Sequence, residues 1–268
     1  GDDRGRICLT PGPITGCDAQ QQLAWIYRGG GLELYNELLK KLQLDVVGYF
    51  AMPMPTQPLG WFKKPVGSSK EMVGLKYRTV GLAADLMQEM GLKVTQLPGG
   101  EIVPAMERGV IEAFEFNNPT SDRRFGAQDV AKNYMMGSYH QAMEFFEIVF
   151  NRKKHDALPK DLQAILRYAA EAASASNYWT AMDNYSKDLQ ELIGKDKVNV
   201  IRTPKSIFEA QLKAWDVITK RLSDEDPFFK RVVDSQRAWA KRVAYYWFLN
   251  DADYKLGYEH VFGTKLPS

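Results

Sequence analysis

The sequence predicts an α/β fold in which short strands alternate with helical crossovers. Three observations predict it. Residues 72–116 read as strand, helix, strand, helix and strand, in units too short for anything but parallel crossovers. Glycine or proline stands where each of these units begins or ends. Apolar residues make up 45% of the 268-residue chain, which is ample for a buried core.

The elements of this stretch follow one another without long connections. We predict strands over residues 75–80, 92–97 and 110–116, and helices over residues 82–90 and 104–109. Leu82, Leu86 and Met90 give the first helix an apolar stripe, and Gly91 ends it. Ligands in such sheets bind beyond the carboxyl ends of the strands, where Arg78 and Glu115 both stand.

The rest of the chain predicts further helices and strands on either side. Residues 19–42 read as two helices broken by the glycines at positions 29–31, followed by a strand at 46–52 and a proline-containing loop at 53–60. Residues 116–122 read as a polar turn and 145–150 as a strand. Residues 159–193 predict one helix of roughly 50 Å. A strand at 198–202 and helices at 204–222 and 228–249 complete the chain.

Charge and composition exclude several classes of function. The net charge is +2, from 35 basic and 33 acidic residues, which argues against a nucleic-acid partner. No run of 18 apolar residues predicts a membrane span, and residues 1–16 are too polar to predict a signal peptide in this chain. Cys8 and Cys17 predict either a disulfide in an oxidising compartment or two free thiols.

The residues do not favour catalysis. Glu112 and Glu115 are three apart, so a strand places them on opposite faces and they do not form a carboxylate pair. His140 and Glu144 form a His-x-x-x-Glu pair, which is weak evidence for a metal site. The sequence has no nucleophile elbow, phosphate-binding loop or dinucleotide fingerprint. We therefore predict that the protein is not an enzyme and has no organic cofactor, with a metal-dependent enzyme of organic acids as an alternative.

Several motifs resemble the substrate-binding proteins of tripartite ATP-independent periplasmic (TRAP) transporters, in their monocarboxylate or 2-oxo-acid-binding branch. They are LKYR at 75–78, GEIVPAMERGVIEA at 100–113, the pair Glu115-Phe116, and the pair Phe150-Asn151. The resemblance covers residues 20–268 and implies a two-lobed periplasmic-binding-protein-like fold, with the long helix spanning both lobes. It implies that lobe I holds residues 1–55 and 145–183 and is N-terminally truncated, and that lobe II holds residues 56–144 and 184–268.

The resemblance also implies a ligand site. Arg78 falls on the family's carboxylate-clamping arginine, and a guanidinium recognises a carboxylate through two parallel hydrogen bonds. Gln57, Glu115, the Phe116 carbonyl and Gln141 correspond to the oxygen ligands of a bound Na⁺ or Ca²⁺. Gln141 stands where monocarboxylate-binding relatives have an acid, which weakens the case for a divalent ion unless Asn117 compensates. We expect the empty cleft to leave Arg78 hydrated.

By resemblance, the chain is an extracytoplasmic solute receptor that captures a 2-oxo or 2-hydroxy monocarboxylate and presents it to the membrane subunits of a TRAP transporter. This implies a location in the periplasm. A ligand-binding protein serving a sensor is the alternative with the same chemistry. The aromatic stripe of residues 228–249 predicts core packing, or a homodimer through the C-terminal helix as in some relatives.

Overall fold

The computed structural model describes residues 13–266, which form two sheets and twelve α-helices within that range. The helices are α1 (Ala19–Arg28), α2 (Gly31–Lys41), α3 (Ser69–Met72), α4 (Leu82–Glu89), α5 (Ile102–Glu107), α6 (Pro119–Arg124), α7 (Ala127–Val130), α8 (Arg152–Asp156), α9 (Lys160–Gly194), α10 (Lys205–Glu225), α11 (Pro227–Asn250) and α12 (Tyr254–Phe262). The strands are β1 (Val46–Met54), β2 (Gly60–Phe62), β3 (Lys76–Arg78), β4 (Lys93–Thr95), β5 (Ala113–Phe114), β6 (Asn133–Met136), β7 (Glu144–Asn151) and β8 (Asn199–Arg202).

The larger sheet has six strands in the order β4-β3-β5-β2-β6-β8. Strand β3 pairs in parallel with β4 and β5, which confirms the predicted crossovers of residues 72–116. Because side chains alternate along strands, Trp61, Phe114 and Tyr134 enter the core on one face, and Phe62 and Tyr77 enter the core on the other. The carboxyl ends of β3, β4 and β5 therefore share one edge of this sheet.

The smaller sheet pairs β1 with β7 in antiparallel register. Its core includes Phe50 of β1 and Phe145 of β7, together with apolar residues of α1, α2, α4, α10 and α11. Residues 55–59 lead from this sheet to the larger one, and residues 137–143 lead back. These two connections carry Gln57 and Gln141.

The 35-residue helix α9 packs against both parts of the molecule. It contacts β1 of the smaller sheet and α6, which follows the larger sheet's β5 in sequence. This confirms the prediction of a long helix that spans both lobes. The division of the chain into residues 1–55 and 145–183 and residues 56–144 and 184–268 stays a prediction. Packing of α11 on α1 and α2 favours assigning that helix to the β1–β7 side.

Some elements differ from the sequence prediction. The predicted turn at 116–122 contains helix α6, because Pro119 occupies its first turn and the Asn118 side chain accepts a hydrogen bond from Ser121 N–H. Strand β5 has two residues rather than seven. Strands β2 and β6 were not predicted, since three- and four-residue strands give little periodicity to detect.

Two further expectations concern the termini and the membrane. Cys17 is buried near α11, whereas Cys8 lies outside the described residues, so the pairing of the two thiols is still a prediction. Within residues 13–266, no helix combines the length and the apolar character that crossing a bilayer requires.

Candidate functional site

Arg78 ends β3 with its side chain buried at the shared edge of the larger sheet. Its Nε donates to the Leu97 carbonyl at 2.9 Å, and its Nη1 donates to the Glu115 carbonyl at 2.9 Å. Nη1 also lies 3.0 Å from the Glu115 carboxylate Oε1, in an ion pair whose side chains are 6% and 2% exposed. The expectation that Arg78 would be hydrated in the empty cleft is wrong, because Glu115 already neutralises it. Within the described chain, Nη2 is the nitrogen of this guanidinium that has no hydrogen-bond acceptor.

A second carboxylate faces this pair from the smaller sheet. Glu144 begins β7, and its Oε2 accepts a hydrogen bond from Gln57 Nε2 at 3.3 Å. Burial raises the pKa of Glu144 and the negative charge of Glu115 raises it further, while hydrogen bonds from Gln57 and Gln141 lower it. The backbone N–H of Gln57 also donates to the Gln141 carbonyl at 3.1 Å. Glu115, Glu144, Gln57 and Gln141 thus form, with Arg78, a polar cluster near the points where the chain passes between the sheets.

Gly60 allows the Gln57 loop to approach this edge. Its φ of +132° favours glycine, and a Cβ there would lie 2.2 Å from the Phe114 carbonyl oxygen. Any larger residue would push β2, and the loop that carries Gln57, away from Glu115.

The loop after Glu115 is fixed by the buried carboxylate of Asp122. Asp122 Oδ1 accepts from the backbone N–H groups of Asn117 and Asn118, at 3.0 and 3.1 Å. Its Oδ2 accepts from Trp61 Nε1 and from the Tyr134 hydroxyl, at 3.0 and 3.1 Å. This side chain therefore ties the loop after Glu115 to the core of the larger sheet.

Asp122 predicts a measurable pH dependence of stability. Burial raises its pKa from 3.8 to about 6, against the lowering effect of its hydrogen-bond donors. A group with a raised folded-state pKa contributes stability below pH 4, and that stability is lost as pH rises through about 6. The contribution is at most about 3 kcal/mol. We expect Asp122→Asn to remove part of the fall in unfolding free energy between pH 4 and 7.

Denaturant unfolding across that pH range checks this expectation, with exposed Asp129→Asn as the matched control. The same pH slope in Asp122→Asn as in the parent would show that Asp122 does not titrate in this window.

Two adjoining cavities, with volumes of about 530 and 290 Å³, open beside the loop that follows Glu115, and Arg78 and Glu115 line neither of them. Both are lined by Met54 of β1, Asn117, Asn118 and Tyr185 of α9. The smaller one also touches Thr56 and Pro58, the neighbours of Gln57, and is mostly apolar. These cavities provide space for a small molecule between the two sheets and beneath the long helix.

The structure brings four of the six predicted site residues together. Arg78 contacts Glu115, and Gln57 and Gln141 are joined to each other and to Glu144, whose charge interacts with that of Glu115. Phe116 turns its ring toward Phe125, with centroids 4.8 Å apart. The Asn117 side chain accepts a hydrogen bond from Asn118 Nδ2 and lines the cavities. Glu112 is exposed at the other end of the strand, so it does not pair with Glu115.

Sequence reasoning missed Glu144 and Asp122 as parts of this site and considered His140 only with Glu144. In the structure His140 Nε2 instead faces Glu115, 4.0 Å from its Oε2. His140 and Glu144 could have been recognised from their positions on either side of Gln141, in the segment that leads into the strand predicted at 145–150. Asp122 gave no such signal, because its role depends on contacts with Trp61 and Tyr134, which are distant in sequence.

Comparisons with known proteins give the family. Residues 16–226 match the family described as bacterial extracellular solute-binding protein, family 7. The chain belongs to this family of solute-binding proteins. It is 30% identical over 242 residues to a monocarboxylate 2-oxoacid-binding periplasmic protein of Nostoc sp., covering 90% of this chain and 65% of that protein. It is 28% identical to a solute-binding protein of Sulfitobacter sp., over 62% of this chain and 49% of that protein. The chain thus spans about half to two thirds of the length of these relatives.

Solved structures of TRAP periplasmic solute-binding proteins share the fold. One from Colwellia psychrerythraea, with bound calcium and pyruvate, is 30% identical with a TM-score of 0.83, covering 95% of this chain and 75% of that one. One from Pseudoalteromonas atlantica, with bound sodium and pyruvate, is 26% identical with a TM-score of 0.82 and the same coverage. One from Bordetella bronchiseptica, with calcium and picolinate, is 26% identical with a TM-score of 0.84, covering 96% and 75%. These likenesses confirm the two-lobed α/β fold.

The polar cluster fits a hard cation. Gln57 Oε1 is buried and has no hydrogen-bond partner among the described residues. Glu115 Oε1 pairs with Arg78, while Glu115 Oε2 faces His140 Nε2 and is not paired with Arg78. Within residues 13–266 no group of three or more His, Cys, Asp or Glu side chains is placed to hold a metal, so amide and backbone oxygens would complete the set. Such donors suit Na⁺ or Ca²⁺ rather than a soft metal.

Proposed function

We propose that this chain is the extracytoplasmic solute receptor of a TRAP transporter and that it captures a small 2-oxo or 2-hydroxy monocarboxylate between its lobes. The observation that carries the proposal is the Arg78 guanidinium, buried at the sheet edge with Nη2 unpaired within the described chain. A largely buried guanidinium with one unpaired nitrogen is suited to a carboxylate. The pyruvate-bound Colwellia relative supports the ligand class.

The ligand shares its site with Na⁺ or Ca²⁺ in this proposal. Gln57, Glu115, the Phe116 carbonyl and Gln141 would hold the cation, whose positive charge would offset the carboxylates of Glu115 and Glu144. Arg78 and Asn117 contact the organic acid. The Colwellia and Pseudoalteromonas relatives, with bound calcium or sodium and pyruvate, support the pairing of a cation with an organic acid. The protein binds and releases its ligand unchanged, without catalysis.

The proposed partners are the membrane subunits of the transporter, and the proposed location is the periplasm, as the name of the Nostoc relative indicates for that protein.

We also propose a homodimer through the C-terminal helices. The end of α11 and helix α12 expose a group of large apolar side chains: Tyr245, Phe248, Leu249, Tyr254, Val261 and Phe262. A group of large exposed apolar side chains close together in the chain is typical of a contact with another chain. Sedimentation velocity of the parent and of Leu249→Asp tests this, with Val73→Asp as the control, because Val73 is also an exposed apolar residue. A monomeric parent at tens of micromolar would contradict it.

A thermal-shift screen of organic acids tests the proposed function most broadly. Ligands that bind the folded state raise the melting temperature in proportion to the logarithm of their concentration over Kd. We expect pyruvate and related 2-oxo acids to raise it when Na⁺ or Ca²⁺ is present, and to raise it less after exhaustive chelation in Na⁺-free buffer. Recovery of the acid unchanged is expected. Turnover, or no shift with any 2-oxo or 2-hydroxy acid, would contradict the proposal.

A further inference from the structure

His140 is a buried side chain beside Glu115 that the proposed site does not use. It is 1% exposed, and its Nε2 has no hydrogen-bond partner among the described residues. That nitrogen points toward Glu115, whose Oε2 lies 4.0 Å away, beyond hydrogen-bond reach. A buried polar atom without a partner costs free energy, so it needs an explanation. What Nε2 offers to a ligand depends on which ring nitrogen carries the proton.

The hydrogen-bond network behind the ring settles that question. The backbone N–H of Tyr139 donates to Gln211 Oε1 at 2.8 Å, which fixes the orientation of the Gln211 amide. Gln211 Nε2 must then be the donor in its 2.7 Å contact with Ser138 Oγ. The backbone N–H of His140 also donates to Ser138 Oγ, at 3.2 Å. Both acceptor positions of the serine hydroxyl are therefore filled by N–H groups.

The hydroxyl proton of Ser138 must go to its remaining contact, His140 Nδ1, 2.6 Å away. A hydroxyl has one proton and two lone pairs, and both lone pairs are already used. Nδ1 is thus an acceptor, and the neutral imidazole carries its proton on Nε2. The second ring nitrogen of a histidine commonly takes its role from the bond made by the first. His140 consequently presents an N–H donor, with no acceptor, to the space beside Glu115 and Arg78.

We propose that His140 Nε2–H recognises the oxygen on carbon 2 of the bound acid, while Arg78 takes the carboxylate. This inference rests on the proposed function and names its specificity-determining residue. The 2-oxo oxygen is an acceptor only, so it matches a fixed donor. A 2-hydroxyl also matches when it accepts, whereas a 2-ammonium group has only donors and is rejected. Ser138 and Gln211 act as positioning residues, because they fix the tautomer without reaching the ligand.

The tautomer is tested first, without any ligand. The chain has three histidines, so two-bond ¹⁵N–¹H correlation spectra are simple, and the His140 signals are those missing from His140→Asn. We expect the proton on Nε2, with Nδ1 as the unprotonated nitrogen. Ser138→Ala removes the hydroxyl that donates to Nδ1, so both neutral tautomers of His140 are expected to appear in this variant. A proton found on Nδ1 in the parent would overturn the inference.

Recognition of the 2-oxygen is tested by comparing pyruvate with propionate, which lacks that oxygen, at saturating Ca²⁺. In His140→Asn the amide oxygen can replace Nδ1 toward Ser138, but the Nε2 donor is lost. We expect this variant to reduce the ratio of pyruvate to propionate affinity about tenfold, the effect of one hydrogen bond. His140→Gln, which keeps a donor near the Nε2 position, is expected to restore part of the ratio.

His155→Asn is the matched control. His155 is also buried, but it lies beside the smaller sheet and away from the polar cluster. Its Nε2 is 2.8 Å from the Tyr49 hydroxyl and its Nδ1 is 3.0 Å from Asp156 Oδ1. The ratio of pyruvate to propionate affinity in His155→Asn should equal that of the parent. An unchanged ratio in His140→Asn would overturn the role of His140 even if pyruvate binds. If the parent bound neither acid, the proposed function would fail, and the spectra would still decide the donor assignment.

Discussion

Arg78→Ala is expected to weaken binding of a 2-oxo monocarboxylate by roughly 30-fold to several thousand-fold. Removing one partner of a desolvated, hydrogen-bonded charge pair costs on the order of 2–5 kcal/mol, and 1.4 kcal/mol is about one decade in affinity. Arg78→Lys keeps the positive charge but loses the planar guanidinium, so its affinity should fall between that of Arg78→Ala and that of the parent. Calorimetric titration with pyruvate measures both losses.

The structure also predicts a loss of ligand-free stability in Arg78→Ala. Glu115 would remain buried without its 3.0 Å ion-pair partner. Breaking a buried pair by removing one member typically costs about 3–5 kcal/mol. The effects on affinity and on stability are therefore both expected, whereas removal of a hydrated Arg78, as expected from the sequence, would change ligand-free stability little.

Arg123→Ala is the control for that variant. Arg123 also forms ion pairs, with Asp188, Glu191 and Asp196, but it lies on α6 outside the polar cluster. It should lower stability modestly and leave affinity unchanged. If Arg78→Ala is destabilised but binds pyruvate within about threefold of the parent, a difference of only ~0.7 kcal/mol, Arg78 is a structural ion pair and not the carboxylate clamp.

Glu115→Gln is expected to weaken ligand affinity by about 10- to 100-fold and to reduce its dependence on the cation. A contact with a charged group contributes about 1.5–3 kcal/mol, and the variant removes the negative charge that Glu115 would offer to the cation. Arg78 keeps its bonds to the Leu97 and Glu115 carbonyls, so the fold should survive. Titrations of pyruvate with Na⁺, with Ca²⁺ and with neither give the result.

Glu112→Gln provides the matched control, since Glu112 is exposed three residues earlier and belongs to no part of the cluster. It should bind pyruvate as the parent does. Undiminished affinity in Glu115→Gln, or in the parent after exhaustive chelation without Na⁺, would remove the cation from the account.

Much of the fold was predictable because its signals are local. The break between α1 and α2 follows from three consecutive glycines, and α9 from 35 residues without an internal proline. The parallel order of β3, β4 and β5 follows from the short units that join them. Strands β2 and β6 were missed because their hydrogen bonds are made with distant strands, and their own three or four residues show no period.

The proximity of the candidate site residues was partly predictable, but their electrostatics were not. Motif positions identified Arg78 and Glu115, and their place at adjoining strand ends followed from the sheet order. Their direct ion pair did not follow, because whether a guanidinium meets water or a carboxylate depends on packing by Leu97 and the sheet edge. The donor role of His140 was equally hidden, since it depends on Gln211 of α10, 71 positions along the chain.

A crystal structure of the protein with pyruvate and Ca²⁺ tests the central claim most directly. We expect the pyruvate carboxylate on the Arg78 guanidinium, and Ca²⁺ bound by Gln57 Oε1 and the Glu115 carboxylate. The 2-oxo oxygen should lie within hydrogen-bond distance of His140 Nε2. Pyruvate bound elsewhere, with the 3.0 Å contact between Arg78 and Glu115 intact and no cation beside Gln57, would contradict the account.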